Sequence, residues 1–413
     1  MTAQKQDSGE SDSPDFSQFR YLKDVFLCSL IAFGGPEAHL GVFLDRLVQK
    51  KKYLTEKALL EWMALCSFLP GPTSTQVITA IGLDKGGRLL GILTLLVWAS
   101  PAICLMALIA LLPIWSADNG LVNFTGFLGP MATGFVAWAA WALGRKVITN
   151  LLTLGLWSVG VTIPVWSTSP WAVPIGFLIG AGLSIILSPQ EKRKKNALTF
   201  RLSIPWGILI IFIVLLGIGM LASFFSENSL LKNFERFYRY GYLVFGGGQV
   251  VVPLMQGELV NSAGLMNQEA FLAGFGLVQA LPGPMFSFAA YAGGLCEQGG
   301  GTFRQLLGSM ISGWAIFLPG TLLLFFVHPF WGKLKILPWA HDALRGINSV
   351  AGGLVAGVFL EILLKANWNP IEASSFILSL GLLIWRKVPI PLIVMIVGML
   401  YVVLFQLNPS IAN

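Results

Sequence analysis

Apolar residues run along this chain in stretches of about twenty, each closed by charged, proline or glycine positions. Such stretches suit helices that cross a hydrocarbon layer, and they lack the alternation of membrane-barrel strands. Spans are expected at about 89–112, 121–143, 151–166 and 171–187, and again at about 306–327, 347–364, 376–385 and 390–407, with one more at 204–225.

Two regions break this rhythm. The run 16–33 stops at Gly34-Gly35-Pro36, and 41–48 carries Asp45 and Arg46 before Lys50-Lys51-Lys52. The run 58–69 stops at Pro70-Gly71-Pro72, and 73–83 then returns at Asp84-Lys85 and Arg88. Proline removes a backbone donor and clashes with the preceding turn, so each break reads as the tip of a re-entrant helical hairpin.

Both regions occur twice. One offset of 212 residues carries Phe33 onto Phe245 and Pro70-Gly71-Pro72 onto Pro282-Gly283-Pro284. It also carries Leu47-Val48 onto Leu259-Val260, Ala58 onto Ala270, Leu60 onto Leu272, Leu65 onto Leu277 and Gly82-Leu83 onto Gly294-Leu295. Weaker similarity relates 88–101 to 304–319, and Gly129 onward to Gly346 onward. The chain is an internal duplication.

The expected fold is all-α: a polytopic integral membrane protein of two inverted-topology repeats, each with two re-entrant hairpins and about four spans. The expected segments are a disordered polar tail (1–15), a first repeat (16–188), a basic loop with a linking helix (189–232), and a second repeat (233–413). The unpaired span at 204–225 is what inverts the second half. With hairpins that return to their own side, Lys50 to Lys52, Lys85, Arg88, Arg145, Lys146, Lys192 to Lys195, Lys333, Lys335, Arg345, Arg386 and Lys387 fall inside, while Arg304, Lys365 and a segment of mixed charge at 232–239 fall outside. That sets the N-terminus in the cytoplasm and the C-terminus outside a cell membrane. No apolar stretch follows a basic start, so no cleavable leader is expected.

Composition agrees. Of the residues 55% are hydrophobic and 11% charged, with a mean hydropathy of +0.73, more apolar surface than a soluble fold of this size could bury. The net charge of +7 is spread in short clusters between spans, where it orients helices rather than binding nucleic acid. Cys28, Cys66, Cys104 and Cys296 stand singly, without metal-ligand spacing. The 14 tryptophans lie mostly near span ends, as interfacial anchors.

Inverted halves with broken helices are the architecture of alternating-access transporters, in which the breaks free backbone groups near mid-membrane to hold a polar solute. Helix N-termini aimed at that solute favour an anion rich in acceptor oxygens, and glycine lets the backbone approach it. The candidate binding residues are therefore Gly34, Gly35, Pro36, His39, Pro70, Gly71, Pro72, Thr73, Ser74, Thr75 and Gln76. Their counterparts in the second half are Gly246, Gly247, Gly248, Gln249, Pro282, Gly283, Pro284 and Ser287.

For several residues a structural reading stands beside the functional one. His39 either donates to an oxyanion, accepts a coupled proton, or stabilises the break. Thr73 to Gln76 and Ser287 either ring the solute or cap helices. Lys85, Arg88 and Arg304 follow the second hairpins and suit capture of anions, although orientation alone explains the first two. Glu61 and Glu361 lie in apolar helices and Glu258 on a returning limb, so each is a candidate for coupling or for pairing with a cation such as Lys85 or Arg88.

The ordered set FGGPEAH, LV-x-KKKYL, LPGPTSTQ and GL-x-KGG, then FGGGQVVVPL, ELV and ALPGP, resembles the chromate ion transporters over nearly the whole chain. The resemblance implies the two-domain form with inverted halves, chromate as solute, outward movement that confers chromate resistance, and sulfate as a structural mimic. Two departures are Leu265, where the first copy has Tyr53, and the glycines Gly299 to Gly301. Membrane lipid is the other expected partner, and a homodimer is compatible with these expectations. A transporter of sulfate or another oxyanion, by import or exchange, and an anion channel stay open. No HExxH, clustered carboxylate motif, Ser/His/Asp set or GxxxxGK[ST] is present, so neither an enzyme nor a cofactor is expected. Export is electrically favourable, since a dianion leaving a negative interior gains roughly 4.6 kcal/mol per 100 mV.

Overall fold

The computed structural model describes residues 16–112, 126–167, 172–188, 205–225, 228–245, 250–331 and 338–407. The expected tail at 1–15 and most of the basic loop lie outside them. Among the described residues every regular element is helical and none is a strand.

The first half starts with α1 (Gln18–Ile31), which buries Tyr21, Asp24, Val25, Cys28 and Ser29, one stripe at helical spacing. It ends where Gly34 and Gly35 adopt φ of +89° and +84°, a region that favours glycine. Then α2 (Pro36–Phe43) starts with proline in its first turn, where no donor is lost, and passes into a π-helix, Leu44–Lys50. Thr55 caps α3 (Glu56–Phe68) by accepting from the Ala58 N–H at 3.2 Å. Beyond Pro70-Gly71-Pro72 comes α4 (Thr73–Ala110).

The second half begins, after the linking helix α8 (Trp206–Phe225), with α9 (Ser229–Leu243). Next are α10 (Val251–Met255), the π-helix Gln256–Ser262, α11 (Gln268–Ala280) capped by Asn267, and α12 (Phe288–Leu295) beyond the second Pro-Gly-Pro. The two π-helices stand 212 residues apart at both ends, as do the caps Thr55 and Asn267. Sustained π-helix is rare, so its return at the offset of the sequence repeat shows that the backbone repeats locally too.

The packing scaffold consists of α5 (Leu128–Val147), α6 (Leu151–Trp166) and α7 (Ala172–Leu187) from the first half, and of α15 (Pro338–Lys365), α16 (Pro370–Trp385) and α17 (Ile390–Leu407) from the second. Asn150 opens α6 and Asn369 opens α16, each with a capping box that satisfies the helix's first donors. Helix α15 lies against α6 so closely that a Cβ on Gly160 would sit 2.2 Å from the Val350 carbonyl. Gly180 meets the Gly346 backbone in the same way, which accounts for the Gly176 to Gly180 spacing as packing.

Several expected boundaries move. The limb 73–83 does turn back, without a loop: Gly86 (φ −154°) and Gly87 (φ +71°) leave the helical path, and a Cβ on Gly82 would lie 2.2 Å from the Thr94 Oγ1 and one on Gly91 3.3 Å from the Leu83 Cβ, so the two parts of α4 lie side by side. The span expected at 306–327 divides into α13 (Thr302–Ala315) and α14 (Leu318–Val327), because Pro319 cannot continue the hydrogen-bond ladder. Helix α15 begins at Pro338 rather than near 347.

Among the described residues four helical stretches are long and apolar enough to cross a membrane by length and composition: Thr73–Ala110, Thr302–Phe330, His341–Lys365 and Ile390–Leu407. Helices α6, α7 and α16, 16 residues each, reach only about 24 Å at 1.5 Å per residue, short of a ~30 Å hydrocarbon core. Their outward residues, such as Ile175, Leu178 and Ile377, are nonetheless exposed and apolar, as are Ile210, Ile213 and Leu221 on α8. The protein is an all-α polytopic membrane protein.

Candidate functional site: the crossed helix breaks

The breaks of the two halves bond to each other. The Gly71 N–H donates to the Val244 carbonyl at 2.7 Å, and the Gly283 N–H donates to the Ala32 carbonyl at 2.9 Å. Gly71 and Gly283 are offset partners, and so are Ala32 and Val244, so this is one bond made twice. Groups freed by each Pro-Gly-Pro are thus satisfied by the first break of the opposite half, as buried backbone requires.

Only glycine fits these crossings. Gly71 has φ +114° and Gly283 has φ +103°. A Cβ at Gly71 would lie 3.3 Å from the Gly320 Cα, and one at Gly283 would lie 2.8 Å from the Ala102 side chain. Gln76 fastens the first crossing further, donating from Nε2 to the Pro70 carbonyl at 2.8 Å and to the Gly320 carbonyl at 3.1 Å.

Beside the first crossing is a buried polar group at the start of α4. His39 is 1% exposed, and its Nδ1 lies 2.9 Å from the Ser74 Oγ. The Trp98 Nε1–H donates to the Thr75 Oγ1 at 3.1 Å, and the His39 ring meets the Trp98 ring edge-on with centroids 5.4 Å apart. His39 Nε2 and Gln76 Oε1 make no hydrogen bond although both are buried. In the tautomer that accepts the Ser74 hydroxyl at Nδ1, the imidazole proton is on Nε2, a buried donor of the kind an oxyanion would satisfy.

The second half is different. At the offset positions Val251 stands for His39, Phe286 for Ser74, Ser287 for Thr75 and Phe288 for Gln76. Only Ser287 is polar; it is buried and its Oγ makes no hydrogen bond. Gly246, Gly247, Gly248 and Gln249 lie outside the described residues. Among the described residues the polar side chains at the crossings are concentrated on the first repeat, although the backbone crossings are paired.

Two ion pairs connect the first helix of each repeat to its π-helix. In the first half the Arg46 Nη2 meets the Asp24 Oδ1 at 2.8 Å; in the second the Arg236 Nε meets the Glu258 Oε1 at 3.1 Å. Asp24 and Arg236 share one offset position, and Arg46 and Glu258 share another. The pair is retained with its charges exchanged. Arg46 therefore pairs with Asp24 and not with its neighbour Asp45, which holds Lys50 at 2.7 Å. The Tyr53 hydroxyl donates to the Asp24 Oδ2 at 2.7 Å, and burial together with this bond keeps its phenol well above the ordinary range. Glu258 also takes Arg239 at 3.0 Å.

The remaining candidates are dispersed. Glu361 accepts from Lys365 at 2.7 Å and from Asn261 at 3.0 Å, rather than pairing with Lys85 or Arg88. It shares a cavity of about 40 Å³ with Glu258, Arg239, Tyr240 and Asn261. Arg304 is held by Glu297 at 2.8 Å and by Ser229. Lys85 lies 3.9 Å from Asp84, and Arg88 and Glu61 are exposed. Gly34, Gly35, Pro36, Pro70 and Pro72 form the backbone of the first-half breaks, with Thr73 opening α4; Pro282 and Pro284 do the same in the second half. Reading by sequence missed Trp98, Asp24 and Arg236. The last two were visible in principle, as opposite charges traded at one offset.

Comparison with known proteins agrees with this duplicated plan. The family model described as "Chromate transporter" matches residues 19–185 and again residues 231–403. The "Probable chromate transport protein" of Synechococcus elongatus is 24% identical, over 94% of this chain and 96% of that protein. The "Chromate transport protein" of Pseudomonas aeruginosa is 24% identical over 83% of this chain and 79% of its own, and that of Cupriavidus metallidurans 23% over 88% and 87%. No solved structure matches the chain. With the family pattern present in both halves and covering most of the sequence, the chain belongs to the chromate transporter family, as a multi-pass membrane transport protein and not an enzyme.

Proposed function

We propose that this protein exports chromate from the cytoplasm across the cell membrane by alternating access, with the solute held where the four helix breaks cross. The observation that carries the proposal is the reciprocal bonding of Gly71 to Val244 and of Gly283 to Ala32. A site built from both repeats, with its freed backbone groups tied across the interface, changes shape when one half rocks against the other. The names of the relatives supply chromate as the solute, and membrane potential makes outward movement of a dianion downhill.

In this reading the halves are inverted, the hairpins re-entrant, the N-terminus cytoplasmic and the C-terminus outside. Residues 16–188 and 233–413 form the two repeats, joined by 189–232. His39 Nε2–H, the α4 amides and Ser287 give hydrogen bonds to a tetrahedral dianion, and Gly246 to Gln249 complete the second side. Asp24 with Arg46 closes the cytoplasmic approach, and Arg236 with Glu258 closes the outer one, so a state with both pairs made is occluded. Lys85 and Arg88 gather the anion at the inner face and Arg304 at the outer. Glu258 and Glu361, which share a cavity, and Glu61 are the groups through which an ion gradient would couple. Sulfate, with the same shape and charge, competes.

The test is equilibrium binding of chromate to purified protein. Removing a buried donor to a charged acceptor costs about 1.5–3 kcal/mol, so His39→Leu is expected to weaken chromate binding roughly 10–150-fold while the protein keeps its melting temperature within a few degrees. Unchanged affinity in a folded His39→Leu protein would remove His39 from the site.

A further inference from the structure

A ladder of alternating cations and indoles joins the C-terminal ends of α5 and α16. The Arg386 guanidinium carbon lies 5.0 Å from the Trp138 ring centre, the Trp138 and Trp141 rings are 4.8 Å apart, and the Arg145 guanidinium carbon lies 4.8 Å over Trp141. Lys387 stands 5.6 Å over Trp385 at the same end. Helix α5 belongs to the first half and α16 to the second, so the ladder crosses between them.

Two features go beyond ordinary interfacial anchoring. Arg145, Arg386 and Lys387 are exposed, and among the described residues no carboxylate lies within ion-pairing distance of them. This contrasts with Arg46, Arg236, Arg239, Arg304 and Lys365, each of which has a carboxylate partner at 3.1 Å or less. Arg386 also closes α16 in the left-handed conformation, φ +57° and ψ +10°. Helices reserve that position for glycine or asparagine, because a side chain there is strained. Among the described residues only Lys52 shares positive φ without being glycine. The stack on Trp138 accounts for the guanidinium's direction, and among the described residues no side-chain or backbone oxygen accepts from its five donors.

Indoles at helix ends mark the boundary between hydrocarbon and water, the depth at which lipid phosphates lie. Cations at that depth without protein carboxylates are matched by an anionic headgroup. We propose that this ladder is a binding site for an anionic phospholipid, with its phosphate bridging Arg386 and Arg145 and its acyl chains running down over Trp138 and Trp141.

The strain at Arg386 makes the test directional. Wild-type protein is melted in nanodiscs of phosphatidylcholine, with and without phosphatidylglycerol, and the lipid retained is counted by native mass spectrometry. Phosphatidylglycerol is expected to raise the melting midpoint of the wild type and to be retained in preference. Arg386→Gly relieves the left-handed strain, so its midpoint rises in pure phosphatidylcholine, yet the increment from phosphatidylglycerol falls. Arg145→Gln loses that increment without the compensating rise. Retention of the anionic lipid drops about fivefold for each cation removed. The same increment in both variants, or no preference for phosphatidylglycerol in the wild type, would reduce the ladder to an aromatic belt and overturn the proposal. Displacement of the lipid by inorganic phosphate would overturn it in favour of a soluble anion.

Discussion

Gly71→Val and Gly283→Val are each expected to abolish chromate transport, and by similar amounts. Valine at φ near +100° carries strain of about 1–3 kcal/mol. Its branched side chain also collides with Gly320 in one case and with Ala102 in the other, so the two breaks must separate. Separation leaves the Val244 or Ala32 carbonyl without its donor, at a cost of about 1–3 kcal/mol more. Together these are a large part of the 5–15 kcal/mol that holds a typical domain folded, and they fall on the crossing that defines the site. Alanine at either position is expected to give the same loss in weaker form. Gly182→Ala is the control, because it is helical and open space surrounds its Cβ position. Transport assays with surface expression measured in parallel check this. Equal loss at 71 and 283 supports paired crossings, and loss at only one would confine the site to one repeat.

The second large effect separates stability from transport. Asp24 is 4% exposed, and its carboxylate takes Arg46, Lys51 and Tyr53. Arg46→Met removes the closest cation from that buried carboxylate but leaves Lys51 at 3.6 Å and the Tyr53 hydroxyl, so the loss is expected below the about 3–5 kcal/mol of a fully broken buried pair. Adding Asp24→Leu removes the stranded charge, so the double variant is expected to recover most of the lost stability, as apolar replacement of a whole ion pair often does. Transport is expected to stay lost, because a gate needs a contact that can be made and broken. A double variant that regains both stability and transport would make the pair a structural brace only. The same pair of substitutions at Arg236 and Glu258 gives a smaller recovery, since Arg239 remains against position 258.

Much of this architecture was legible because its strongest determinants are local. Clustered proline and glycine interrupt a helix more strongly than either does singly inside α4 or α6, so the breaks at Gly34-Gly35, Pro70-Gly71-Pro72 and Pro282-Gly283-Pro284 fall where the sequence marks them. Helix α17 at 390–407 and α6 at 151–166 could be bounded from hydropathy because polar positions flank them on both sides. What could not be read was of longer range. The π-helical character of Leu44–Lys50 leaves no compositional mark, and no spacing in the sequence ties Arg46 to Asp24, which the helix path brings to it. The crossing of Gly71 with Val244 joins residues far apart in the chain, so only the shared offset hinted at a symmetric partner. Asymmetry in the lining, with His39, Ser74 and Gln76 facing Val251, Phe286 and Phe288 in the offset alignment, was readable but carries meaning only once the crossings are seen to be paired.

The most direct test is accumulation of labelled chromate in inside-out membrane vesicles, with and without an energised membrane, for wild type, Gly71→Val and Gly283→Val, with excess unlabelled sulfate as competitor. Energised, saturable accumulation that sulfate reduces and that both variants lose is the predicted result. Accumulation only in right-side-out vesicles would make the protein an oxyanion importer, and accumulation in inside-out vesicles that both variants retain would contradict the crossed breaks as the transport site.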